Sequence, residues 1–105
     1  VKPTMMNFKT REYRYNTSRN IIGWTEDKTM KVKVKNTRDV PVKIEIKRHF
    51  DTGYWEIETD QKYEKVDKDT IKLTLTLEPR TEKTFEYVLT SYRKDNYRIW
   101  KQRQL

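Results

Sequence analysis

The chain has 105 residues, 38% of them charged and 33% apolar, with 24 Lys and Arg against 16 Asp and Glu for a formal net charge of +8. That length holds one domain, and with no cysteine, one histidine (His49) and two glycines (Gly23, Gly53) it excludes disulfide frames, two-histidine zinc motifs and glycine-rich phosphate loops. The polar residues alternate with apolar ones, and 12% aromatics, each able to bury ~150–250 Å², suffice to close a thin core.

The opening residues, Val1 to Asn7, read as irregular around Pro3, and a start at Val1 suggests a domain taken from a longer protein. Phe8 to Tyr15 reads as an edge strand, with Tyr13 and Tyr15 on one face and Glu12 and Arg14 on the other. Asn16 to Asn20 is a loop by composition. Ile21, Ile22 and Trp24 are expected to plug one end of the core around Gly23. Met30 to Asn36 is a clear strand, with Met30, Val32 and Val34 inward and Lys31, Lys33 and Lys35 outward.

Asn36 to Asp39 turns the chain into a strand from Val40 to Phe50, with Pro41 tolerated near its start. Val40, Val42, Ile44 and Ile46 share its inner face. Asp51-Thr52-Gly53 is a turn. Tyr54 to Ile57 is a short strand, and Trp55 is expected to be buried. Thr59 to Asp69 is a charged connection that Tyr63 and Val66 are expected to pin. Asp60, Asp67 and Asp69 have the oxygen ligands calcium takes but read as turn residues.

Thr70 to Pro79 carries the strongest signal. Ile71, Leu73, Leu75 and Leu77 alternate with Lys72, Thr74, Thr76 and Glu78, as only a strand with one dry and one wet face requires. Pro79, which has no N–H for a ladder, stops it. Arg80-Thr81-Glu82 turns into a strand from Lys83 to Tyr92, with Phe85, Tyr87 and Leu89 inward. Arg93 to Asn96 is expected to be a hairpin loop leading to a last strand, Tyr97 to Lys101, that sets Trp100 opposite Leu89. The tail from Gln102 is expected to fray.

About seven short strands with turns between them predict an all-β fold, an immunoglobulin-like antiparallel β-sandwich, with a small β-barrel as the alternative. No internal repeat or low-complexity linker divides the chain, and residues 1–105 read as a single domain. No apolar run approaches the ~20 residues of a membrane-spanning helix.

The cadence from Lys31 to Tyr92 resembles the C-terminal β domain of bacterial mucoidy-inhibitor-A-like proteins. It runs Val-Lys-Val-Lys-Asn, Pro-Val-Lys-Ile-Glu-Ile, Tyr-Trp-Glu-Ile, Tyr-Glu-Lys-Val-Asp-Lys-Asp-Thr-Ile and Leu-Glu-Pro-Arg-Thr-Glu-Lys-Thr-Phe-Glu-Tyr. The matching positions are Asn36, Pro41, Trp55, Tyr63, Asp67, Leu77, Pro79 and Tyr87, over about three-fifths of the chain. The resemblance implies a module following other domains in a longer chain, with no catalytic residues to carry over. Leu77 to Thr81 is also similar to the E–F turn of fibronectin type III domains, although Lys83 stands where their Tyr is expected.

The functional expectation is a non-catalytic structural or protein-interaction module without a cofactor, part of a larger bacterial protein. Its partners would be other domains of that chain or another protein, in an extracytoplasmic setting, periplasm or cell envelope. The alternative is binding of a polyanion or nucleic acid. In an immunoglobulin-like topology the strand with Lys31, Lys33 and Lys35 is expected beside the strand with Lys72, gathering four lysines on one outer face. Lysines so placed also discourage edge-to-edge pairing of strands. A second basic stretch, Tyr92 to Lys101, interleaves Arg93, Lys94, Arg98 and Lys101 with aromatics that could stack on bases or sugars.

Overall fold

In the computed structural model, which describes residues 2–105 and side chains from residue 4 onward, the alternating runs are strands. They are β1 (Lys2–Tyr15), β2 (Ile21–Lys35), β3 (Val42–His49), β4 (Trp55–Glu58), β5 (Tyr63–Asp67), β6 (Thr70–Leu77) and β7 (Glu82–Lys94), followed by one helix, α1 (Tyr97–Arg103). They form two antiparallel sheets, one ordered β1-β2-β7-β4 and the other β3-β6-β5.

Between the sheets lies a core of Val32, Val34, Ile46, Phe50, Trp55, Ile71, Leu73, Leu75, Leu77, Phe85, Tyr87 and Leu89. Every alternation read from β6 and β7 has the expected parity. Ile44 and Met30 are only partly buried and pack against the rim of this core. Trp55 is 8% exposed. Its ring meets Phe50 at 4.9 Å and its indole N–H donates to the Lys68 carbonyl at 2.8 Å.

The pairing matches the immunoglobulin plan, in which B, E and D form part of one sheet and C, F and G the other. β3, β6 and β5 stand at B, E and D, and β4 and β7 stand at C and F, which puts Trp55 on strand C. The exception is the G position. It is taken by β2, from the N-terminal side of the chain, in continuous register with β7 from Gly23↔Lys94 to Lys35↔Glu82.

This exception accounts for the main departures from the sequence reading. β7 has β2 on one edge and β4 on the other, so a strand following it has no edge left to join. Tyr97 to Lys101 is therefore helical, part of α1, and does not set Trp100 opposite Leu89. The lysine strand pairs with β1 and β7, while Lys72 lies in the other sheet, opposite Lys47. The expected four-lysine face does not exist.

Other differences are local. Strand β1 begins at Lys2 rather than Phe8, because its backbone follows β2 as far as Lys33; Val1 lies outside the described residues. β2 begins at Ile21, which is exposed, so the Ile21-Ile22-Trp24 segment is a strand and not a core plug. Val40 is exposed before β3 begins. Tyr63 and Val66 sit on β5, an edge strand, and are 44% and 47% exposed. They pin nothing to the core; β5 is held by its ladder to β6.

Two buried amides tie the ends of the sandwich. Asn36 donates from Nδ2 to the carbonyls of Val40 (2.9 Å), Leu77 (3.2 Å) and Glu78 (3.1 Å), and its Oδ1 accepts from the Arg38 amide. It thereby joins the β2–β3 turn to the β6–β7 turn. At the opposite end Asn96, fully buried, donates to the Glu12 carbonyl at 2.8 Å and to Thr25 Oγ1 at 3.0 Å. It packs onto Gly23, where a Cβ would lie 2.5 Å from Asn96 Oδ1 and 2.8 Å from its backbone nitrogen. Only glycine permits that approach.

Candidate functional site

The concave feature with the densest polar chemistry lies where α1 meets the outer face of the four-stranded sheet. It is a cleft of about 690 Å³ lined by Arg11, Glu56, Thr90, Tyr92, Ile99 and Arg103, among others. Residues 11, 27, 90, 92 and 56 alternate outward on β1, β2, β7 and β4, opposite in parity to the core residues Leu89 and Trp55. α1 crosses above them, held at its base by Asn96 and by the Trp100 indole N–H, which donates to the Trp55 carbonyl at 3.0 Å.

Most of the charges in and beside this cleft pair with one another. Arg11 donates from Nε to Asp27 at 2.6 Å, and Thr90 donates to the same carboxylate at 2.8 Å. Burial works to raise the Asp27 pKa, and these bonds outweigh it, leaving the carboxyl below its usual range. Arg103 donates to Glu56 at 2.6 Å, and the Tyr92 hydroxyl donates to the same oxygen. The Arg103 bond, with Tyr92, holds Glu56 low. Burial, then the Glu56 partner, pushes the Tyr92 hydroxyl up to about 12. A general acid or base serves best with a pKa near the working pH. Here the carboxylates are held ionised and the phenol protonated; Arg103–Glu56 ties α1 to β4, and the other bonds tie the strands to one another.

The residues singled out from sequence are scattered over the molecule. Lys31, Lys33 and Lys35 share the outer face of β2, but their neighbours on β7 are Glu86, Thr84 and Glu82 in register. Lys33 reaches Glu82 at 3.5 Å. Lys72, on the other sheet, binds Glu64 at 2.9 Å.

The basic-aromatic stretch is divided as well. Arg93 points to the inner side and is 17% exposed, bridging Glu26 at 3.1 Å and Asp51 at 2.9 Å. Lys94 lies 5.6 Å over the Trp24 ring. Arg98 pairs with Asp95 at 3.1 Å and lies 5.8 Å over Tyr97, while Lys101 is exposed on α1. The aromatics of this stretch pack on one another through Tyr54, which meets Tyr97 at 5.5 Å and Trp100 at 5.2 Å.

Asp67 accepts from the Asp69 amide at 3.1 Å, a turn contact. Among the described residues no group of three or more His, Asp or Glu is placed to hold a metal ion. Asn36 and Asn96 read in the sequence as turn and loop residues, and the structure makes them clamps. Asn96, followed by a four-residue run with Tyr97 and Trp100 three apart, held the signal of a helix start. Comparison with known proteins finds no matching family model, no similar curated protein and no similar solved structure.

Proposed function

We propose that this chain is a non-catalytic structural or protein-interaction module of a larger bacterial protein. It is of the kind that ends mucoidy-inhibitor-A-like chains, and it works in the periplasm or cell envelope. The observation that carries this reading is the polar cleft whose ionisable groups are spent on one another, Arg11 with Asp27 and Tyr92 with Glu56 between strands and Arg103 with Glu56 between α1 and the sheet. Four of the positions behind the resemblance support it, since they do structural work: Asn36 clamps two turns, and Trp55, Leu77 and Tyr87 fill the core.

The polyanion alternative loses its principal support with the division of the lysines between sheets. A polyanion site draws affinity from cations gathered on one surface, and that affinity falls steeply with salt. The test is retention on heparin and duplex DNA, comparing wild type with a variant carrying Lys31→Gln, Lys33→Gln, Lys35→Gln and Lys72→Gln. Weak retention, abolished near physiological salt and scarcely altered in the variant, is expected. A selective loss of more than about tenfold in affinity (~1.4 kcal/mol) with an intact fold would overturn the module reading in favour of polyanion binding.

A further inference from the structure

One sheet has four strands and the other three, and the mismatch is at one edge. β4 lies above β5, as the Trp55–Lys68 hydrogen bond and the Lys65 ammonium 5.4 Å over the Trp55 ring establish. By strand order β7 and then β2 continue across the small sheet, and from β3 the Arg48 guanidinium reaches the Tyr87 hydroxyl of β7 at 3.3 Å. Strand β1 overhangs, with no described strand beneath it. On the core-facing side of β1, Met5 pairs in register with Met30 and Phe8 with Lys28, whose partners on β7 are the core residues Tyr87 and Leu89. Yet Met5 is 55% and Phe8 46% exposed.

The edge beneath is equally incomplete. β3 pairs only with β6, so alternate backbone N–H and C=O groups from Val42 to His49 face outward. Val42 and Ile44 remain half-buried while their register partners Leu77 and Leu75 are buried. In immunoglobulin constant domains a further strand, A, lies beside B at this place. Here the place beside β3 and under β1 is empty of any described strand.

We infer that this place is a docking groove for one extended segment with acidic and apolar residues in alternation, joining the small sheet at the β3 edge. The inference rests on the module reading and names the surface and partner class through which it would act. Edge addition supplies main-chain hydrogen bonds, and pockets for alternate side chains supply specificity. The inward side chains would meet Met5, Phe8, Met30 and Ile44, an apolar lining. Charge selects the rest: Lys43 and Lys47 flank Glu45 on the outer face of β3, and Lys28 and Arg48 stand on the inner side. Arg48 donates to the Tyr87 hydroxyl and Lys28 lies 5.9 Å over the Phe8 ring, while Glu26 and Asp51 nearby are taken up by Arg93; Lys28, Lys43 and Lys47 then face Glu45 alone, which favours an acidic strand. The eight residues of β3 offer ~26 Å of edge, or about eight residues of ligand.

A second copy of the chain does not fit. An antiparallel β3–β3 pairing keeps both large sheets on the same side, so each overhanging β1 would occupy the space that its partner's β2 fills above β3. The groove admits a lone strand.

The test is an amide chemical-shift titration of the full chain with a capped ten-residue peptide alternating Glu with Val. A peptide with Lys in place of every Glu is the control. The acidic peptide is expected to shift and protect amides of Val42–His49 and Met5–Phe8, with at least about tenfold tighter binding than the basic one. Met5→Ser with Phe8→Ser, both half-exposed sites, should weaken binding at least fivefold while the spectrum stays folded. Lys43→Glu with Lys47→Glu should reverse the peptide preference. No shifts at millimolar peptide, equal binding of both peptides, or shifts confined to other surfaces would each overturn the proposal. If the chain ignores both heparin and the peptide, the groove is refuted and the module reading stands. If the lysine variant loses heparin binding selectively, the module reading itself has failed.

Discussion

Trp55, Asn36 and Gly23 carry more of the fold than any charged residue. Trp55 closes the core at strand C, and truncating it leaves a cavity and an unpaired Lys68 carbonyl. Trp55→Ala should cost about 3–5 kcal/mol in chemical denaturation; a loss below about 1 kcal/mol would place the ring outside the core. Asn36→Ala strips the donor from two turns, including the buried Leu77 carbonyl, and a buried acceptor left without its partner costs ~1–3 kcal/mol. The expected loss is at least about 2 kcal/mol, with Asn36→Asp no better, because a carboxylate cannot donate to three carbonyls. Gly23→Ala forces Asn96 from its seat and should cost ~1–3 kcal/mol. The loss should appear first as altered amide signals in α1, which Asn96 anchors.

At the scale of elements, α1 is held by Asn96, by the Trp100 indole and by one ion pair, Arg103 to Glu56, and the ion pairs of Glu56 under the helix and Asp27 within the sheet depend on pH. Glu56 and Asp27 both have folded-state pKa values below their ordinary ones. Their contribution is complete above the unfolded carboxylate range, near pH ~4–4.5, and is lost as pH falls through the folded values. Tyr92 acts in the other direction. Its pKa is raised to about 12 from the ordinary 10, so its contribution is present below pH 10 and is lost as pH rises toward 12. Fluorescence of Trp100, which lies on α1, should report release of the helix at both extremes while the sheet signal in circular dichroism persists. Glu56→Gln should remove most of the acid-side transition, and an unchanged acid profile in that variant would contradict the stitching role.

The elements with two-residue alternation were legible because a strand between wet and dry faces leaves that pattern wherever it packs. β6 and the inner half of β2 are the clearest cases. What the pattern could not encode was pairing. Lys31, Lys33 and Lys35 look the same in sequence whether their neighbour carries Lys72 or Glu82 and Glu86. The Tyr97–Lys101 segment alternates well enough for a strand and also carries a helical spacing of aromatics. Tertiary context decided it: with both edges of β7 occupied, a helix was the conformation that satisfied its own backbone. The candidate cleft was hidden for the same reason. Arg11, Asp27, Glu56, Tyr92 and Arg103 meet only because β1, β2, β7, β4 and α1 converge there.

For the molecule as a whole, the decisive feature is the insertion of β2 beside β7 in the place of a C-terminal strand. The particle's principal extents are 63 × 26 × 19 Å. The insertion leaves the large sheet one strand wider than the small one, and both the helix over the outer face and the groove beside β3 follow from it. Cross-strand nuclear Overhauser contacts test it most directly. The account predicts contacts joining Lys31 to Glu86 and Lys33 to Thr84, with helical i to i+3 contacts from Tyr97 to Arg103. Contacts joining Leu89 to Trp100 in a β7 hairpin, with none between β2 and β7, would contradict it.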